Sequence, residues 1–369
     1  MSQSKPYLLK LRRWHQWLGL GLAAPLLLII VTGTLLVYKE ALITLAITDQ
    51  PPPPHRFQSL NEELSALEQQ LSHQQLSYIK APSAGRDYWT VVESAGRSTL
   101  FARHSFTELQ LPAGVLATLD IIRELHTDLM LHTPGEIAAL CLGLVLSFFA
   151  LSGIILWWPA WRRYRFSKLL PKKLSPQQLL ISHRHQGLLL SLFILVIAVS
   201  GVVMLSNGFI YQLNSASSKP APAAIKEASL VDQTGQAHQL AAGQLLQAAQ
   251  TLLPDAQLTL ARLPSKDRPA AEFRFRLKDE WHPNGRSKVA VDGHSGQATV
   301  LSRADQASNG RKLLNVMYPL HSSYGLNRGY QLGVFIAGLV ALYLTLSGSA
   351  SYVLRWRKKH RPQTKIFKQ

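Results

Sequence analysis

Four stretches of the chain, about 16–38, 135–158, 187–209 and 331–354, are built from Leu, Ile, Val, Ala, Phe and Gly and carry no charge except at their ends. Each is long enough to cross a bilayer as a helix, which takes roughly 20 apolar residues. The pattern therefore predicts an α-helical membrane protein with four transmembrane helices. The first run is too long for the apolar core of a signal peptide, and no A-x-A site follows it, so it reads as an uncleaved helix.

The polar intervals differ. Residues 159–186 form a short loop, whereas 39–134 and 210–330 are long and have their own periodicity. In the first long interval, Pro51 to Pro54 reads as a stiff linker. Leu60, Leu64, Leu67 and Leu71 recur at helical spacing and predict a helix over 61–71. Strand-like pieces follow at 88–93 and 99–102, joined by a Ser94-Ala95-Gly96 turn. The second long interval opens with a flexible Ser/Ala/Lys/Pro stretch at 215–224, then predicts a helix over 240–253 ended by Pro254. Strands are expected at 257–263, 271–277 and 288–291, with a turn at 292–296 leading into 298–301. Each interval thus reads as a small external α+β module. The expected order is an N-terminus and first span (1–38), module 1 (39–134), a span (135–158), a loop (159–186), a span (187–209), module 2 (210–330), a span (331–354) and a tail (355–369).

Charge refines this picture. The formal net charge is +18, and segments 1–14, 159–184 and 355–369 hold four, seven and seven basic residues with no acid, which accounts for the whole excess. A nucleic-acid surface need not confine its charge to segments flanking apolar runs, whereas a topology signal does. The positive-inside rule then puts both termini and the short loop in the cytoplasm and the two long intervals outside. Trp14, Trp17, Trp157, Trp158 and Trp356 fall at span ends, as interfacial anchors do. The single cysteine, Cys141, excludes an internal disulfide and any Cys-based zinc or iron–sulfur site.

Candidate chemistry comes from a repeat. His15 and His183 are each followed four residues later by glycine (Gly19, Gly187) and seventeen residues later by a small pair (Thr32-Gly33, Ser200-Gly201). His126 and His321 are each followed twenty-six residues later by Ser152-Gly153 and Ser347-Gly348, then by the basic-aromatic clusters Trp161-Arg162-Arg163 and Arg355-Trp356-Arg357. The chain reads as two similar halves in parallel orientation, related by a pseudo-two-fold axis along the membrane normal. If equivalent histidines face that axis, two opposed imidazole pairs result, one near each membrane face. Each is a suitable axial set for a haem b iron. The small pairs either leave room for a flat porphyrin or let helices pack closely. Arg13, Arg184, Arg123 and Arg328 lie near the histidines in sequence and are candidates to neutralise haem propionates, although Arg13 and Arg184 serve equally as topology markers. His132 and His185 point to other helix faces than their neighbours. His55, His73, His104, His238, His282, His294 and His360 read as ordinary loop residues. Zinc would need a third ligand beside a histidine pair, from Asp128, Glu124 or Glu136.

These motifs, RRWHQWLGL with VTG (12–33), ELHTDL with LSGIILWWP (124–159), SHRHQGL with VSG (182–201) and PLHSSYG with LSG and RWRKK (319–359), resemble the PepSY-associated transmembrane helix family, and VAVDGHSGQA (289–298) looks like the end of a PepSY module. The resemblance implies an inner-membrane protein tied to iron uptake, similar to ferric-siderophore reductases carrying two b-type haems, with His15, His126, His183 and His321 as ligands. It implies electron transfer from the cytoplasmic side to a ferric siderophore or other ferric chelate outside, where reduction to Fe(II) weakens binding by hard oxygen ligands. No G-x-G-x-x-G stands in a strand–helix context, so the donor is expected to be a membrane quinol or a separate protein. Two other readings remain: a non-enzymatic PepSY anchor or inhibitor, and a transporter of iron complexes. Against transport, the spans hold no buried acid and no pair of Pro-broken half-helices; Pro25 has no counterpart in the third span. Trp281 and His282 are candidate substrate contacts without further support.

Overall fold

The computed structural model describes residues 6–48, 57–83, 85–103, 105–217, 239–265 and 268–360. Along the chain run α1 (Pro6–Gly21), α2 (Ala23–Leu36), α3 (Lys39–Ala46), α4 (Leu60–Gln70), β1 (Leu76–Lys80), β2 (Tyr88–Glu93), β3 (Ser98–Ala102), α5 (Val115–Thr127), α6 (His132–Trp157), α7 (Pro176–Ser217), α8 (Ala242–Leu252), β4 (Gln257–Arg262), β5 (Ala270–Arg276), β6 (Ser287–Asp292), β7 (Ala298–Ser302), α9 (Asn309–Ser322) and α10 (Arg328–Lys359). Two units result, one from residues 1–37, 119–210 and 320–369, the other from 38–118 and 211–319.

The first unit is helical. Among the described residues α6, α7 and α10 are long and apolar enough to cross a membrane, and the pair α1–α2 makes a fourth span if counted as one. Only 22% of the apolar window of each long helix is buried inside the protein. Large side chains such as Leu144, Leu192 and Leu346 are half or more exposed. Such a surface suits hydrocarbon, where an amphipathic pattern is not needed and helices satisfy their own backbone. Inside, Leu26, Ile30, Leu142, Ala150, Ile194, Ala337 and Ala341 form the shared core.

The first span departs from the sequence expectation of one continuous helix: α1 and α2 meet at 73°. Pro25 is the cause. It has no N–H for the carbonyl of Gly21, four residues back, and its ring crowds that carbonyl, so the helix breaks at Leu22. The third span has no proline at the matching position and runs unbroken as α7.

The second unit is a seven-stranded antiparallel sheet in the order β3-β2-β1-β4-β5-β6-β7, packed against α4 and α8. Period-two alternation sets its faces. In β5, Ala271, Phe273 and Phe275 are fully buried, while Glu272, Arg274 and Arg276 alternate onto the other side. Leu64, Leu67, Trp89, Val91, Leu245, Leu246, Val289 and Val291 complete the core. The helices α4 and α8 approach closely at Gly243, whose N–H donates to Ser65 Oγ at 2.8 Å and where a Cβ would strike the Asn61 carbonyl.

The sequence suggests two separate modules; the structure has one sheet. β1 pairs with β4, with Ile79 opposite Ala261 and Lys80 opposite Leu260. Each module alone would leave these strands as open edges with unpaired N–H and C=O groups, and pairing removes both edges at once. The strands at 88–93, 257–262 and 270–276 lie within a residue of expectation. The linker 51–54, His55, His104, His238 and residues 218–224 fall outside the described residues, and α7 continues past the expected end at 209.

One buried charge anchors the smaller half of the sheet. Glu63 on α4 is 1% exposed and accepts hydrogen bonds from Trp89 Nε1 (3.0 Å), Arg103 Nη2 (2.7 Å) and Arg103 Nε (3.2 Å). Removing the guanidinium takes two charged donors from a desolvated carboxylate. Arg103→Ala is expected to destabilise this unit by about 3 kcal/mol, the low end for breaking a buried pair because Arg103 is partly exposed. A fall in thermal midpoint in detergent, absent in the double variant Glu63→Gln/Arg103→Ala, would check it.

Candidate functional site

The helical unit brings the four repeat histidines together in two pairs. His15 on α1 and His183 on α7 have ring centroids 6.4 Å apart, with ring planes at 83°. His126 near the end of α5 and His321 near the end of α9 have centroids 5.9 Å apart, with planes at 34°.

The same device holds each ring. His126 Nδ1 lies 2.9 Å from the Ile29 carbonyl oxygen, and His321 Nδ1 lies 2.8 Å from that of Ile197. His183 Nδ1 lies 3.0 Å from the Leu344 carbonyl oxygen. A carbonyl only accepts, so in these three rings Nδ1 carries the proton and donates. His15 Nδ1 lies 2.7 Å from Ser152 Oγ. That hydroxyl points its own hydrogen at the Phe149 carbonyl, 3.2 Å away, so its lone pairs receive the His15 proton. In a neutral imidazole with Nδ1–H engaged, Nε2 keeps a lone pair, the one available to a metal.

The residues that supply these acceptors come from the repeat. Ile29 and Ile197 stand three residues before Thr32 and Ser200; the Ser200 hydroxyl bonds back to the Ile197 carbonyl at 2.9 Å, whereas the Thr32 hydroxyl, 3.1 Å from that of Ile29, lies closer to the Leu28 carbonyl at 2.7 Å. Leu344 stands three before Ser347, whose hydroxyl bonds back to it at 3.3 Å. The glycine that follows each hydroxyl receives the ring. A Cβ on Gly33 would lie 2.5 Å from His126 Cε1, one on Gly201 2.7 Å from His321 Cε1, and one on Gly348 3.3 Å from His183 Cε1. Here the small residues make room for an imidazole, a use distinct from both sequence expectations. Gly153 differs, with Ser191 Oγ as its nearest neighbour at 3.8 Å.

A cavity of ≈ 360 Å³ opens beside His15 and His183, with Gly19, Gly187, Gly348 and Phe149 in its wall. Three guanidiniums line it as well, from Arg12, Arg184 and Arg355. Of the predicted arginines, Arg184 is therefore beside the pair. Arg13 is not among the lining residues; the cavity side of α1 carries Arg12 instead, since adjacent helical residues point about 100° apart. Arg123 pairs on its own helix with Glu124 (3.2 Å) and Asp120 (3.7 Å). Arg328 opens α10 and is exposed. Sequence reasoning missed Arg12 and Arg355 because rotation about a helix axis is set by packing. The signal that existed was the basic-aromatic cluster at 355–357.

His185 is buried but faces elsewhere: it packs between Trp157 and Tyr164, and its Nδ1 lies 2.8 Å from the Ile181 carbonyl oxygen. His132 begins α6 with a left-handed backbone, φ 55°. No group of three or more His, Cys, Asp or Glu side chains able to hold a metal occurs among the described residues, so the zinc alternative finds no site there.

A family model described as the PepSY-associated TM region matches residues 12–359. No curated protein gives a match.

Proposed function

We propose that this chain, which belongs to the PepSY-associated TM family, is a two-haem electron carrier of the bacterial inner membrane that reduces ferric siderophores or other ferric chelates outside the cytoplasm. In this reading α1–α2 counts as one span, the two halves form a parallel repeat of four spans, both termini are cytoplasmic, and the sheet unit is periplasmic.

The observation that carries the proposal is the spacing of the two imidazole pairs. With about 2 Å for a metal–imidazole bond and about 1.1 Å from nitrogen to ring centre, a metal held between two imidazoles separates their centroids by roughly 6.3 Å. The pairs stand at 6.4 and 5.9 Å. In both, the ring nitrogen that would not bind metal is engaged by an acceptor, which supports Nε2 as ligand at all four histidines.

Bound there, haem b would supply one-electron chemistry, and release would follow because Fe(II) is held less tightly than Fe(III) by hard oxygen donors. The chain's own part is to bind, orient and shield. The carbonyls of Ile29, Ile197 and Leu344 fix the rings and raise their basicity. Phe149 packs edge-on to His15, with centroids 5.1 Å apart, and keeps that side apolar. Arg12, Arg184 and Arg355 offer three cations at the cavity wall for the carboxylates of a porphyrin. Electrons would come from a membrane quinol or a separate protein.

A visible spectrum of the purified full-length protein tests the reading. Protein from haem-replete cells is expected to show b-type reduced bands and about two haems per chain by pyridine haemochrome assay. Colourless protein would overturn it and leave a membrane-anchored external module.

A further inference from the structure

The four repeat histidines are not all held alike. For three of them the nearest acceptor to Nδ1 is a main-chain carbonyl: Ile29 for His126, Ile197 for His321 and Leu344 for His183. Hydroxyls stand farther off, Thr32 Oγ1 at 3.4 Å from His126 and Ser347 Oγ at 3.2 Å from His183. Each of these carbonyls lies three residues before the small hydroxyl of the repeat. The matching carbonyl for His15 is that of Phe149, three before Ser152, and it does not take the ring. It accepts from Ser152 Oγ at 3.2 Å, and Ser152 Oγ itself receives His15 Nδ1 at 2.7 Å.

Two further observations mark the same departure. Gly33, Gly201 and Gly348 each receive an imidazole, whereas Gly153, directly after Ser152, has Ser191 Oγ nearest to it. The helix that carries His15 also differs from its counterpart: α1 turns 73° from α2, while α7, with His183, is unbroken. Ser152 is buried, so its bond to His15 is shielded from solvent. The ring planes follow the anchors. His126 and His321, held by corresponding carbonyls, lie at 34° to each other; His15 and His183, held by unlike groups, lie at 83°. An axial imidazole donates through the π orbital perpendicular to its plane. Two near-parallel rings act on the same iron dπ orbital and split it from its partner. Two crossed rings act on one orbital each and leave the pair nearly degenerate. Axial ligands and the hydrogen bonds behind them are levers by which a protein tunes a haem.

We propose that Ser152 is a positioning residue for His15 and, resting on the two-haem reading above, that its hydroxyl keeps the planes of the His15/His183 pair crossed. The two haems are then electronically unlike, and the one between His15 and His183 has the near-degenerate iron orbitals.

The test is electron paramagnetic resonance of the oxidised, purified full-length protein in detergent. Two low-spin ferric signals are expected, a rhombic one from the near-parallel pair and one of large g anisotropy from the crossed pair. His126→Ala should lose the rhombic signal and keep the anisotropic one, which assigns both. Ser152→Ala should move the anisotropic signal toward rhombic, leave the other in place and shift the midpoint potential of one haem only. Ser152→Thr, which keeps a hydroxyl as Thr32 does in the corresponding hydroxyl–glycine pair, should restore the anisotropic signal. Ser147→Ala, which removes a hydroxyl bonded to the Gly143 carbonyl on the same helix at 2.8 Å, should change neither signal. Two like signals from the unaltered protein, or an anisotropic signal unmoved in Ser152→Ala, overturns the proposal. If Ser152→Ala loses that haem outright, Ser152→Thr decides: haem regained with the anisotropic signal upholds the proposal, and haem regained without it, or not regained, overturns it. Colourless protein would sink the haem reading and this inference with it; two haems with like signals would sink this inference alone.

Discussion

His126→Ala and His321→Ala should each cut the haem content of the purified protein by about half, with the remaining spectrum close to that of a single b-type site. Neither ring has a nearby substitute: His132 begins the next helix, and His185 is boxed by Trp157 and Tyr164. The rings of the two pairs also stand on different helices, α5 and α9 for one, α1 and α7 for the other, and α7 is shared only through the Ile197 carbonyl that holds His321. Each substitution leaves a carbonyl, that of Ile29 or Ile197, without its imidazole donor, but both carbonyls lie within helices, and that of Ile197 still accepts from Ser200. Gross unfolding is therefore not expected. Pyridine haemochrome quantitation with low-temperature reduced spectra reads the result. Equal loss of both haems at normal protein levels would argue against two independent sites.

The second large effect is expected from a single methyl group. In Gly33→Ala the new Cβ would stand 2.5 Å from His126 Cε1, about 1 Å inside normal carbon–carbon contact. The ring must move, and its 2.9 Å bond to Ile29 must stretch or break. Overpacking of this kind costs about 1–3 kcal/mol, and a misplaced ligand adds to it. Gly201→Ala, with 2.7 Å to His321 Cε1, should behave similarly, and Gly348→Ala, at 3.3 Å, should be milder. Gly208→Ala, on α7 with nothing within 4 Å and outside the cavity wall, should leave the spectrum unchanged and serves as the internal control. Loss or displacement of one set of haem bands in the first two variants, at equal protein yield, is the expected reading. A wild-type spectrum for Gly33→Ala would mean that the His126 ring sits elsewhere when haem is bound.

Much of this architecture was legible in the chain. Long apolar runs announce spans because a bilayer sets their length, and alternation along β5 announces a sheet because the side-chain period is two. The pairing of the histidines was legible because His15 and His183, and His126 and His321, recur in matched sequence settings. What holds the rings was not. Every residue has a carbonyl, so the roles of Ile29, Ile197 and Leu344 carry no side-chain signature; only the Thr or Ser three residues later hints at them. Pro25 was visible, but a missing N–H marks where a helix breaks and not the 73° through which it turns. Arg12 and Arg13 are equivalent on paper and separated only by helix rotation. The fusion of two modules into one sheet was invisible for a related reason, since an edge strand looks like any other strand until its neighbour is known.

That fusion constrains how the protein is made. Lys80 finds its partner at Leu260, about 180 residues later, so β1 emerges from the ribosome long before β4 exists. A single sheet also cannot straddle a bilayer. Between its two parts the chain makes α6 and α7, both long and apolar enough to cross a membrane. Synthesis thus leaves a three-stranded fragment complete while α6 and α7 are still to be made. During that interval its open strand is vulnerable to chance pairing with other chains, and assembly of the sheet becomes a late event in biogenesis.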